Sequence, residues 1–165
     1  MLLYLQYSIS MSKVYSLKFV QNIPVNIDVA WNFFSDPKNL AEITPGNMGF
    51  NVISKHHGEK IYPGQLIEYT VSPVLNIPLY WMTEITHIAD KKYFVDEQRF
   101  GPYSLWHHQH HFTITNEGVE MTDIVHYKLP LWFLGDIANS LFVAKKLKQI
   151  FDYRFEKIGQ LFIRR

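Results

Sequence analysis

The residues best suited to chemistry lie in one short stretch, Trp106-His107-His108-Gln109-His110-His111-Phe112, with Asp123 following. In an extended strand alternate side chains share a face. That rule puts Trp106, His108, His110, Phe112 and Ile114 on one side, and Leu105, His107, Gln109, His111 and Thr113 on the other. The first side carries the larger aromatic and apolar groups, so it is expected to face inward, with His108 and His110 about 6.6–6.8 Å apart along the strand. Further on, Met121, Asp123, Val125, Tyr127 and Leu129 share a mostly apolar face. A turn at Asn116-Glu117-Gly118 would fold that segment back, letting Asp123 approach one of the imidazoles.

Four roles are open to such a cluster. The histidines can be structural, satisfied by Asp123, Gln98 or a tyrosine. They can orient a mainly apolar ligand. A histidine held by Asp123 can act as general acid or base, as cyclisation or dehydration requires, making His108, His110 and Asp123 the catalytic candidates. The His-x-His pair can also hold a metal ion, with Asp123 or Asp96 as third ligand. His-x-His alone is a weak metal signal. No further strong ligand stands at a recognisable spacing, so no metal site is assigned and no cofactor is expected.

Composition narrows the classes. The chain has 165 residues, within the range of one domain, and no cysteine. Disulfides, thiol catalysis and cysteine-based metal sites are excluded. Sixteen basic and fifteen acidic residues leave a formal charge of +1, too little to offset phosphates, so no nucleic acid partner is expected. Twelve Phe, ten Tyr and four Trp beside eight His suggest an aromatic-walled cavity as readily as an aromatic core. No GxGxxG, P-loop, GxSxG or HExxH pattern occurs. No run reaches the roughly 18 apolar residues of a membrane span, and a cytoplasmic protein without stable membrane insertion is the simplest expectation. Residues 1–15 read as a tail ahead of a single domain over 16–165, with Met11 a candidate start.

The elements that must position these groups follow from periodicity. Residues 16–23 alternate as a strand that Pro24 ends. Asn26 can cap a helix from Ile27, and Asp36-Pro37 stops it. Asn39 can cap a second short helix through Ile43. Strands are expected over 49–55, 66–72, 79–89, 93–100, 105–115 and 119–129, separated by turn signals that include His57-Gly58, Asn76 and Gly101-Pro102. Ile137, Leu141, Ala144, Leu147, Phe151, Phe155, Ile158 and Phe162 then step by three or four along one long helix. Lys145, Lys146, Lys148, Arg154, Lys157, Arg164 and Arg165 fall on its other faces, which are expected to be solvated.

Several strings carry a resemblance: WNFFSDPKNLAEITP (31–45), LYWMTEI (79–85), FVDEQRFGPYSLWHHQHHF (94–112), MTDIVHYKLP (121–130) and IFDYRFEKI (150–158). From about Ser16 to Phe162 the chain resembles the SRPBCC superfamily of START-like helix-grip proteins. It is most similar to a bacterial branch often labelled polyketide cyclase or cell-division-inhibitor-like. The resemblance implies an α+β helix-grip fold, in which a curved antiparallel sheet of six to seven strands wraps a long C-terminal helix around a hydrophobic pocket. It implies no single activity, since the superfamily includes lipid carriers, cyclases, hormone binders and chaperone regulators. It favours Phe94, Asp96 and Gln98 inward. His111 stands where similar sequences usually carry a small polar residue or another non-histidine.

Together these readings make Tyr69, Trp81, Gln98, Trp106, His108, His110, Phe112, Asp123 and Tyr127 the expected lining of a site for a small hydrophobic or amphipathic ligand. A cyclase or dehydratase in the same cavity is the alternative, and a regulatory interaction module the third reading.

Overall fold

The computed structural model describes residues 14–54, 60–72, 77–130 and 136–162. The expected tail before residue 14, the His57-Gly58 and Asn76 turns and Arg164-Arg165 lie outside them. So do the side chains of Ile137 and Leu141.

Strand β1 (Tyr15–Ile23) alternates half-buried and exposed side chains as its sequence predicts. Helix α1 (Ile27–Phe34) follows because the Asn26 side chain accepts a hydrogen bond from the Val29 N–H at 2.9 Å. Asn26→Ala is expected to cost about 1 kcal/mol in urea unfolding, the usual value of such a cap. The second short helix differs from expectation. It is a 3-10 helix over Pro37–Ala41, capped by Asp36, whose side chain accepts from the Lys38 N–H. Proline at the first turn has no N–H to satisfy, so the Asp36-Pro37 pair that ends α1 also starts the next helix. Asn39 instead donates to the Phe33 carbonyl, tying the two helices together.

The remaining strands are β2 (Asn51–Val52), β3 (Leu66–Val71), β4 (Leu79–Ala89), β5 (Tyr93–Phe100), β6 (Leu105–Thr115) and β7 (Gly118–Lys128). They form an antiparallel seven-stranded sheet in the order β1-β7-β6-β5-β4-β3-β2. The strand expected over 49–55 shrinks to two residues. Gly49 sits in the left-handed region at φ 52°, and the Ile53 and Ser54 N–H groups both donate to the Glu68 carbonyl, which breaks the ladder. Register shifts between Met82 and Thr83 and between Ile85 and His87 interrupt the β4–β5 pairing, and such bulges bend a sheet.

Helix α2 (Asp136–Phe162) lies on the concave face. Leu147 and Phe151 pack with Val125 and Tyr127, and Phe151 stacks on Phe19 at 4.1 Å. Its far end joins Trp31, Phe94, Phe112 and Ile158 in a second cluster. Two expectations about inward faces are corrected. Phe155 is 55% exposed, and Arg154 beside it is buried at 9%. The stripe runs Leu147, Phe151, Arg154, Ile158, and a shift of one residue rotates a side chain by about 100°. Ile114 is 70% exposed, because it lies near the end of β6 beyond the cover of Phe112. Among the described residues no helix is long and apolar enough to cross a membrane.

Candidate functional site

Between α2 and strands β3 to β6 lies a cavity of about 330 Å³. Its wall is mostly apolar. Trp81 packs against Tyr69, Tyr103 and Trp106 with ring centroids 5.4–5.9 Å apart. Thr83 is buried among them, accepting from the Trp81 Nε1–H at 3.0 Å and sharing a hydrogen bond with the Tyr69 hydroxyl at 2.8 Å. Burial pushes the Tyr69 and Tyr103 hydroxyls far up, so both stay neutral donors. Phe33, Phe34, Leu40 and Met48, from α1 and the segment after it, close one end.

One polar cluster breaks this wall. Asp96 lies opposite His108 in the β5–β6 register, and His110 lies opposite Asp123 in the β6–β7 register. All four side chains share the concave face, with exposures of 7–15%. The hydrogen bonds run diagonally: His108 Nε2 to Asp123 at 2.9 Å, and His110 Nε2 to Asp96 at 2.9 Å. His110 Nδ1 also lies 2.7 Å from Asp123, at an angle too poor for a hydrogen bond, so that contact is an ion pair only. The two imidazoles are 3.8 Å apart centroid to centroid, and Phe94 stacks on His110 at 4.2 Å.

The protonation pattern follows from these neighbours. Burial alone would raise the Asp123 carboxyl, but the His110 charge close beside it and the hydrogen bond from His108 hold it far below the usual carboxylate range. Asp96 is likewise lowered against its burial, by the His110 hydrogen bond, the histidine charges and Arg154. Burial and the neighbouring His110 charge lower His108, so it favours the neutral form. His110 is raised, because two carboxylates outweigh its burial. The neighbours thus push the two imidazoles apart, His110 toward the charged form and His108 toward the neutral one, between two carboxylates.

The structure places Tyr69, Trp81, Trp106, His108 and His110 on the cavity wall. Asp123 lies behind the imidazoles rather than at the surface of the cavity, and orients them from there. Three expected lining residues are placed elsewhere. Phe112 packs into the core against Trp31 and Phe34. Tyr127 is buried beneath Tyr103 and Trp106. Gln98 clamps the turn after β5, its amide donating to the Tyr103 carbonyl at 2.6 Å and accepting from the Tyr103 N–H at 3.3 Å. His111 belongs to the outer face, where a chain of hydrogen bonds links Glu97, His107, Gln109 and His111.

Asp96, His108 and His110 each offer one donor atom, all within 4.8 Å of one another. Of the two third-ligand candidates, Asp96 is therefore the one grouped with both imidazoles. A divalent cation there would have to displace the proton between His110 and Asp96, and Arg154 at the same cavity opposes it by charge. Arg154 and Lys146, both expected on solvated faces of α2, line the cavity, and Arg154 is the buried one. Its guanidinium lies 5.0 Å above the Phe151 ring, and its Nε is buried with no hydrogen-bond partner among the described residues. The step from Phe151 to Ile158 admits position 154 as readily as 155, so residue patterning left the choice open.

No protein family and no curated protein matches this chain. Solved structures do. Protein CV1439 from Chromobacterium violaceum is 9% identical, with a TM-score of 0.68 over 90% of this chain and 97% of that one. Protein Ms6760 from Mycobacterium smegmatis is 15% identical, with a TM-score of 0.64 over 88% and 89%. The major latex-like protein 151 of Panax ginseng is 15% identical, with a TM-score of 0.64 over 90% and 97%. At such identities the likeness establishes the fold alone. That fold agrees with the helix-grip arrangement.

Proposed function

We propose that this protein binds or carries a small hydrophobic or amphipathic ligand in the cavity between α2 and the sheet, as a member of the SRPBCC type. The observation that carries this reading is the cavity itself. It is lined by tryptophan, tyrosine and aliphatic side chains and is interrupted by one built polar cluster. Apolar burial supplies affinity and a few placed polar groups supply orientation. The sequence resemblance to helix-grip ligand-binding proteins and the fold likeness support the same assignment.

The test uses the neutral fluorophore N-phenyl-1-naphthylamine. Wild-type protein is expected to enhance its emission saturably, with quenching of Trp81 and Trp106. Val71→Phe places extra volume in the cavity and is expected to weaken this binding about tenfold or more, while urea unfolding stays within the roughly 1–3 kcal/mol cost of overpacking. An absence of saturable binding in the wild type, or an unchanged affinity in Val71→Phe, refutes an internal site.

A further inference from the structure

We infer that the cavity selects a ligand with one anionic oxygen head, an otherwise apolar carboxylic acid, whose carboxylate seats on the Arg154 guanidinium. The inference rests on the cavity-binding reading above and names the class of ligand it takes.

Burying a guanidinium is costly unless it is paired and hydrogen-bonded. Arg154 is nine-tenths buried, and among the described residues no carboxylate comes within ion-pairing distance of it. Asp96 feels its charge but makes no ion pair with it, and its Oδ2 accepts from His110 Nε2. Asp123 is engaged by both histidines. Neither carboxylate pairs with Arg154, whose guanidinium lines the cavity over the Phe151 ring with its buried Nε unpartnered among the described residues. A guanidinium fork matches a carboxylate in geometry and charge.

The surroundings refine the class. Most of the wall around Arg154 is aromatic and aliphatic, with Tyr69 and Thr83 already bonded to each other, while Lys146 is a second cation on the lining, so the bulk of the ligand is apolar and its head anionic. An ammonium head meets Arg154 as a like charge and is disfavoured.

Three probes of one shape decide this: 2-naphthylacetic acid, 2-naphthaleneethanol and 2-(2-naphthyl)ethylamine, titrated at neutral pH by calorimetry. The acid is expected to bind at least about tenfold tighter than the alcohol, and the amine weakest, as befits a charge-assisted bidentate pair. Arg154→Met is expected to weaken the acid at least about tenfold more than the alcohol and so remove the acid's advantage. Arg154→Lys should restore part of the advantage, as a point charge without the fork. Equal binding of acid and alcohol to the wild type overturns the head-group inference alone, and so does an equal loss of both in Arg154→Met. Failure of all three probes together with the neutral fluorophore overturns the cavity-binding reading, and this inference with it.

Discussion

Asp123→Ala is expected to be the most damaging single substitution at the site, costing about 3–5 kcal/mol in urea unfolding, because removing one partner of a buried ion pair strands the other. Two imidazoles rely on this carboxylate: His108 through its Nε2–H, and His110 through its charge. Asp123→Asn keeps an acceptor oxygen and is expected to cost less. An Asp123→Ala variant within about 1 kcal/mol of wild type would show that the four side chains are not interdependent.

The same groups set the acid stability. Asp123 and Asp96 are lowered in the folded protein, so each contributes stability that is present above the usual carboxylate range and lost as pH falls through it. The histidines oppose each other. Lowered His108 loses stability as pH falls through the imidazole range, and raised His110 gains it there. The net loss is therefore expected below about pH 5. Asp123→Asn should flatten that acid limb, and an acid limb as steep as wild type counts against the pairing.

Gly118→Ala is expected to be comparably severe for a different reason. Gly118 opens β7 at φ 130°, and an added Cβ would lie 2.3 Å from the Ile23 carbonyl oxygen and 2.9 Å from the Pro24 Cα. Neither is the movable end of a side chain. Strain of this kind costs on the order of 3 kcal/mol, which for a domain of this size lowers Tm by about 10 °C. Gly46→Ala is the control: nothing lies within 4 Å of its added Cβ, and Tm is expected to stay nearly unchanged. If the two variants melt alike, the close approach of the β6–β7 turn to the end of β1 is wrong.

Much of this arrangement was legible from residue patterning. Period-two alternation marked β4, β5 and β6 to the residue, and the Asn116-Glu117-Gly118 turn forced the pairing that places Asp123 beside the histidines. Local chemistry was less legible where two readings shared the same residues. Asp36-Pro37 reads equally as a stop and as a start, and the structure uses it as both. Gln98 alternates onto the inner face, yet the turn after β5 takes its amide.

The harder distinction concerned α2. Spacing by three or four residues admits Phe155 or Arg154 into the stripe, and hydrophobicity favours the phenylalanine. Only the packing of the helix on Phe19, Val125 and Tyr127 selects the arginine. Alternation along β6, apolar faces and the hairpin turn are short-range properties, so the amino-acid order determined the sheet and the inward histidine pair by itself. The rotation of α2 and the supply of Asp96 from a neighbouring strand depend on long-range contacts with no periodic trace. The tertiary structure alone decided them, and with them the charge that faces the cavity.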